Sequence, residues 1–155
     1  MSQPATINPR IIEGLYCEAL VLSDEVRAAF ALSGRFDSGT DEEDLARVAL
    51  SCEALRTTTR MMHAIAWLLN RRAYFSGELS EFQLRRQGRL SAVPSRSDPE
   101  QAGLLNLQIR QLIAATEGFY ERLLRLDSGW RDAESLPPPG AIARLRERMG
   151  RGAIS

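Results

Sequence analysis

The chain has 155 residues with 20 basic and 20 acidic side chains, so its formal net charge is 0, and every basic residue is an arginine. Hydrophobic residues make up 44% of the chain and charged residues 26%, which is typical of a soluble globular protein and excludes wholesale disorder, collagen-like repeats and membrane spanning. A chain of this length favours one domain with a sizeable core.

The cysteines and the N-terminal segment indicate the compartment. Cys17 and Cys52 are far apart and belong to no CxxC pair, so neither a disulfide framework nor a zinc site is predicted. No basic stretch followed by an apolar stretch opens the chain, and the longest apolar run is only residues 64–69. We therefore expect a cytoplasmic protein with no signal peptide and no contact with a membrane.

The zero net charge is a cancellation between blocks of the chain. Residues 1–55 carry a net −6, residues 56–96 a net +6 and residues 97–155 a net 0. Such a chain can pair with itself across a bundle or a dimer, or present one charged face to a partner. Ordinary solvated helix faces would give the same pattern.

The first predicted helix covers residues 9–33. Asn8 is the predicted N-cap, Pro9 occupies the first helical position and Gly34 ends the helix. Its apolar residues recur at spacings of three and four, which predicts one buried stripe. The stripe consists of Ile12, Leu15, Ala19, Leu22, Val26 and Ala29.

The second predicted helix, residues 41–76, opens with a capping box from Thr40 to Glu43 and is the longest. An unbroken alternation of three and four predicts its main core seam, so a charge at Met62 is expected to unfold the protein. The predicted main seam is Leu45, Val48, Cys52, Leu55, Thr59, Met62, Ala66, Leu69 and Ala73. A second stripe runs beside it and makes the apolar surface wide enough for two neighbouring helices. This second stripe is Leu50, Ala54, Thr57, Met61, Ala64 and Leu68.

The third predicted helix covers residues 99–127, with Asp98 as N-cap and Pro99 at the first position. Its predicted seam is Leu105, Ile109, Leu112, Thr116, Phe119, Leu123 and Leu126. Residues 78–97 are predicted to be a loop with a short helix that is capped by Ser80 to Gln83 and ends at Gly88. The predicted fold is thus all-α, an antiparallel three-helix bundle with a long central helix in residues 1–127 and a flexible C-terminal tail in residues 128–155.

The central helix is predicted to overhang the other two at its C-terminal end. The overhang carries Trp67, Leu68, Tyr74 and Phe75, which need cover from residues 78–90 or from a second subunit. We expect a homodimer.

The tail contains a stiff stretch from Pro137 to Pro139 and a short segment that is apolar on one face and basic on the other. Such a segment can fold on a partner or remain inert. Its candidate partner-binding residues are Ile142, Arg144, Leu145, Arg146, Arg148 and Met149.

Enzyme signatures are absent from the sequence. A phosphate-binding GxxxxGK[ST] loop needs a lysine, GxSxG does not occur, and His63 has no Glu-x-x-His partner for a di-iron site. We predict no catalytic residue, no metal and no cofactor. Carboxylates of residues 42–44 facing Glu117 and Glu121 would be one alternative, a Mg²⁺ hydrolase site, although helix capping accounts for the first cluster.

A polar stripe of the second helix is predicted to face solvent or a partner. It consists of Arg56, Arg60, His63, Trp67 and Arg71, with Arg72 beside it. A basic patch offers an alternative, a nucleic-acid or transcription-regulatory binder, but it lacks the aromatic interleaving of a nucleic-acid module. That patch is Arg71, Arg72, Arg85, Arg86 and Arg89.

Residues 49–78 carry a specific set of motifs. They are Ser51-Cys52-Glu53, then Leu55-Arg56-Thr57-Thr58-Thr59-Arg60-Met61-Met62, Ala66-Trp67-Leu68-Leu69, Arg71-Arg72-Ala73 and finally Gly77-Glu78. The stretch resembles the signature of the RcdA family, small helical proteins named as regulators of CtrA degradation in alphaproteobacteria.

The resemblance implies a self-associating three-helix bundle that acts without catalysis. It implies an adaptor that brings cell-cycle cargo proteins to the ClpXP protease with its priming factor, and it implies partner contacts through the bundle surface and a flexible tail. The corresponding tail here is Pro137 to Ser155.

Overall fold

The computed structural model describes residues 8–33, 41–91 and 98–135, together with Gly140, Arg144 and Arg146. Within these residues all the regular secondary structure is helical, so the predicted all-α class is confirmed. The helices are α1 (Pro9–Ser33), α2 (Asp41–Phe75), α3 (Glu81–Gln87), α4 (Pro99–Ala102) and α5 (Leu107–Ser135). None of these described helices is long and apolar enough to cross a membrane.

The helix termini follow the predicted capping residues. Asn8 Oδ1 accepts a hydrogen bond from the Ile11 amide at 2.9 Å and starts α1. Ser80 and Gln83 form the reciprocal capping box of α3. Gly77, in the left-handed region with a φ of 83°, follows α2 and turns the chain toward α3. The predicted capping residue Thr40 lies outside the described residues.

The predicted third helix is wrong in two respects. It is interrupted after Ala102, because Gly103 is a weak helix former and Asn106 starts a new helix by accepting a hydrogen bond from the Ile109 amide at 2.8 Å. At its other end α5 continues past Asp127 to Ser135, so the predicted tail boundary at residue 128 falls inside a helix. The reason is packing: the Trp130 ring lies in edge contact with those of Tyr74 and Phe75.

Each of the three long helices packs against the other two. The predicted seams of α1 and α5 are confirmed, because all their members are buried or half-buried. The main buried cluster is Ile12, Ala19, Met61, Ala64, Trp67, Leu68, Leu90, Phe119, Tyr120 and Leu123. A smaller cluster, Ala49, Leu105, Ile109 and Ile113, lies toward the other end of α2.

The predicted main seam of α2 is wrong. Met62 is 64% exposed and Leu55 is 70% exposed, whereas Met61 and Thr57 of the second stripe are buried. The buried face also includes charged side chains, Glu53, Arg60 and Arg71, which are tolerated because each has a hydrogen-bonding or ionic partner. Met62→Asp is therefore no longer expected to unfold the chain.

The overhanging end of α2 is covered within the same chain. Leu84 of α3 and Leu90 beyond it are buried, and the Tyr120 hydroxyl donates a hydrogen bond to the Ser91 carbonyl at 2.7 Å. Trp130 of α5 covers Tyr74 and Phe75 from the other side. The predicted cover by the folded-back segment is thus confirmed.

Candidate partner-binding surfaces

The predicted main seam of α2 is an exposed apolar surface, which we call the α2 seam. Five of its large side chains are between 43% and 70% exposed, and these are Leu45, Val48, Leu55, Met62 and Leu69. The smaller side chains of Cys52, Thr59 and Ala66 lie between them, and Ala73 follows Leu69. All nine follow the three-and-four spacing of a heptad repeat, so they lie along one line on the helix.

The α2 seam has the composition of a helix-pairing surface. Large apolar residues at one heptad position alternate with mostly small ones at the other, and small residues let two helices approach closely. An exposed apolar stripe of this kind is typical of interaction sites in soluble proteins. The surface therefore fits another helix better than it fits bulk water.

Acidic charge is concentrated at one end of the α2 seam. The first turn of α2 contains Asp41, Glu42, Glu43 and Asp44, whereas Arg72 of the last turn is paired with Glu13 of α1. A parallel second copy of α2 would bring the two acidic clusters together, and an antiparallel copy would keep them apart. The charge pattern therefore favours antiparallel pairing.

The polar stripe predicted to face a partner is for the most part buried, which corrects that prediction. Arg60, Trp67 and Arg71 are at most 3% exposed. Arg56 is half-buried, with an ion pair of 2.7 Å to Glu53 and a hydrogen bond to Gln101. Only His63 of the stripe is exposed.

Arg60 links α2 to α5 in the interior. Its guanidinium donates a hydrogen bond to the Thr116 hydroxyl at 2.9 Å and forms an ion pair with Glu117 at 3.5 Å. Burial lowers the pKa of Arg60, and Glu117 and Glu53 oppose that shift. The side chain therefore acts in packing and not in partner contact.

Trp67 and Arg71 converge on Asp127 of α5, which is fully buried. The Trp67 indole donates to Asp127 Oδ1 at 3.0 Å and the Arg71 guanidinium donates to the same oxygen at 3.1 Å. Arg131 forms a further ion pair with Asp127 Oδ2 at 3.2 Å. Arg71 also donates to the Gly88 carbonyl, so this cluster joins α2, α3 and α5.

Arg72 of α2 is half-buried against α1. Its guanidinium pairs with Glu13 at 2.6 Å and stacks 4.3 Å from the centre of the Tyr16 ring. Both contacts hold its planar group against the fold. Arg71 and Arg72, two members of the predicted basic patch, are thus already engaged with protein groups, while Arg85, Arg86 and Arg89 are exposed.

The predicted tail residues are only partly described. Arg144 and Arg146 are helical and exposed, whereas Ile142, Leu145, Arg148 and Met149 lie outside the described residues. No metal-binding arrangement of three or more His, Cys, Asp or Glu side chains occurs in the described part of the chain. Glu117, one of the carboxylates of the Mg²⁺ alternative, is ion-paired with Arg60.

Two features of these surfaces are not apparent from the sequence. The predicted burial of the α2 seam is wrong because apolar periodicity does not say which of two adjacent stripes is buried. Asp127 had no local signal at all, since its partners Trp67 and Arg71 lie 60 and 56 residues away.

Comparison with known proteins places the chain in one family. Residues 3–152 match the family described as a protein of unknown function, DUF1465. The chain is an all-helical protein that belongs to this family. No curated protein and no solved structure matches it.

Proposed function

We propose that this protein is a non-enzymatic adaptor of the cytoplasm that delivers cell-cycle substrates to the ClpXP protease. The exposed α2 seam carries the proposal, because an exposed apolar stripe of this kind is typical of interaction surfaces. The resemblance of residues 49–78 to the RcdA family supports the particular role, and these residues lie within the matched range 3–152. In this role the partners are ClpX with its priming factor and a protein cargo.

The proposal includes the finer arrangement of the fold, an antiparallel three-helix bundle of α1, α2 and α5 that forms a homodimer. The α2 seams of two copies would pair antiparallel. In a register centred on residue 57, Leu55, Met62 and Val48 of one copy would pack beside Thr59, Cys52 and Ala66 of the other. The acidic starts of the two α2 helices would then lie at opposite ends of the interface.

The dimer is tested by light scattering on purified protein. Leu55→Asp places a charge on the seam without touching the core, and it should convert a dimer into a folded monomer. Arg110→Asp, an exposed substitution on α5, is the matched control and should leave the mass unchanged. A wild-type protein that is monomeric throughout the concentration range would contradict the homodimer.

A nucleic-acid binder is the alternative, and the contacts of the basic patch favour it less. Arg71 is buried against Asp127 and Arg72 pairs with Glu13, so neither is free to contact phosphates without losing these interactions. DNA or RNA affinity that falls steeply with salt would promote this alternative.

The adaptor role is tested by cargo turnover in cells. Loss of the protein should stabilise at least one cell-cycle substrate of ClpXP, and deletion of residues 137–155 should have the same effect if the tail docks a partner. Unchanged turnover of all such substrates on loss of the protein would contradict the adaptor role.

A further inference from the structure

A small basic cavity lies between α3 and the C-terminal half of α5. Its volume is about 150 Å³ and its charged walls are Arg71, Arg85, Arg89, Arg131 and Asp127. Leu84 and Trp130 form the apolar part of the wall, and Gly88 completes it. The cavity is separate from the α2 seam, which lies on the opposite, solvent-facing stripe of its helix.

The walls of the cavity carry an excess of positive charge. The lining contains four arginines and one carboxylate, Asp127. Arg71 binds this carboxylate at 3.1 Å and Arg131 binds it at 3.2 Å. Glu81 pairs with Arg85 at 2.9 Å, but both side chains are more than half exposed and the pair is therefore weak. Arg85 in the last turn of α3 and Arg89 beyond its end both line the cavity and are both exposed. The cavity is thus suited to an anion.

The size of the cavity limits the ligand to a small group. At about 30 Å³ per water molecule the space equals roughly five waters. Ligand pockets for nucleotides and drug-sized molecules are about 300–1,000 Å³. One acidic side chain of a peptide fits this space.

One feature favours a carboxylate over a phosphate. The Trp130 ring is held by edge contacts to Tyr74 and Phe75, and it offers an apolar wall for the carbon atoms beside a carboxylate. A free phosphate has no carbon atoms to place there.

We propose that the cavity bounded by Arg71, Arg85, Arg89, Arg131 and Trp130 binds a glutamate or aspartate side chain of an acidic, partly apolar segment of a protein partner. The arginine forks at the mouth would pair with the carboxylate, and Trp130 would pack against the neighbouring aliphatic groups. The inference rests on the proposed function in one respect: the group that occupies the cavity belongs to a protein partner.

The test uses the full-length protein and a blocked peptide that alternates glutamate and leucine. Nitrogen-15 NMR follows the two tryptophan indole N–H signals, since Trp130 lines the cavity and Trp67 is buried behind it. The peptide should shift the Trp130 signal in a saturable way and the Trp67 signal less. The same peptide with glutamine in place of glutamate, and sodium phosphate alone, are the comparison ligands.

Variants identify the residues that bind. The double variant Arg85→Ala/Arg89→Ala should lower the affinity for the glutamate peptide about tenfold, since it removes charged hydrogen bonds at the mouth of the cavity. Arg110→Ala/Arg125→Ala, two exposed arginines elsewhere on α5, should leave the affinity unchanged. Arg89→Lys keeps the charge without the planar fork and should retain part of the affinity.

Several outcomes would overturn the inference. These are an absence of any shift, equal binding of the glutamine peptide, an unchanged affinity in the double variant, or a phosphate response without a peptide response. Because the experiment contains no ClpX, such a result would leave the adaptor role to be decided by its own test.

Discussion

Arg71 and Asp127 form an ion pair of 3.1 Å inside the protein, where both side chains are at most 4% exposed. The pair joins α2 to α5 across 56 positions of sequence. The Trp67 indole and Arg131 complete the environment of the carboxylate. A buried charge pair is costly to break from one side, because the remaining charge is left without its partner.

Asp127→Ala should therefore lower the free energy of unfolding by about 3–5 kcal/mol, as measured by urea denaturation. The matched control is Asp24→Ala, which removes a surface carboxylate paired with Arg27 at 2.6 Å and should cost less than about 1 kcal/mol. Similar losses in the two variants would show that the Asp127 cluster is not the internal tie that the contacts indicate.

Two adjacent methionines distinguish the two stripes of α2. Met61 is 4% exposed and Met62 is 64% exposed. Met61→Asp should abolish cooperative unfolding, because it buries an unpaired charge, whereas Met62→Asp should keep a folded chain whose free energy of unfolding changes by about 0.5 kcal/mol or less in the monomer. Circular dichroism during thermal unfolding separates the two outcomes. A folded Met61→Asp together with an unfolded Met62→Asp would restore the seam that the sequence predicts.

Gly88 lies in close contact with its surroundings at the end of α3. A Cβ atom there would lie 2.5 Å from the Leu84 carbonyl oxygen and 2.6 Å from the Arg71 guanidinium. Gly88→Ala should therefore lower the melting temperature, since the backbone has to move and the bond from Arg71 to the Gly88 carbonyl is disturbed.

The control for Gly88 is Gly118 in α5, where an added Cβ meets nothing within 4 Å. Gly118→Ala should raise the free energy of unfolding by about 0.5–1 kcal/mol, because alanine is the better helix former. If the Gly88→Ala variant is stabilised to the same extent, the end of α3 does not pack closely against Arg71.

Tyr120 makes the stability depend on alkaline pH. Burial raises the pKa of its hydroxyl above the usual value; Arg60 opposes the rise and Asp127 adds to it. Because the folded-state pKa is the higher one, the stabilisation is complete below the unfolded-state pKa of about 10 and is lost as the pH rises through the folded-state value.

The measurement is urea denaturation of the wild type and Tyr120→Phe across this alkaline range. The wild type should lose more stability than the variant above about pH 10. At neutral pH the variant should already be weaker by about 1 kcal/mol, since it lacks the hydrogen bond to the Ser91 carbonyl. If the free energy of unfolding depends on pH in the same way in both proteins, Tyr120 is not the cause of the alkaline loss of stability.

Local signals were sufficient for most helix boundaries. Asn8, Pro9, Ser80, Gln83 and Gly77 act as their chemistry predicts, because caps and turns depend on neighbours in sequence. The start of α5 was missed although Asn106 is a recognisable N-cap, since the apolar seam runs through the break without interruption.

The candidate surfaces depended on long-range contacts and were not predictable in the same way. Arg60 and Arg71 look like surface residues by composition, and only their partners Thr116 and Asp127 on α5 make them interior ones. Once these polar residues turn inward, the apolar stripe of Leu55 turns outward. The inward pairing of these arginines and the outward position of the α2 seam thus follow from one orientation of the helix.

The most direct test of the adaptor role is a pull-down with purified ClpX and its priming factor. Immobilised ClpX should retain the full-length protein when the priming factor is present and release most of it when the factor is left out. Failure of ClpX to retain the protein under either condition, with a folded and correctly assembled sample, would contradict the account.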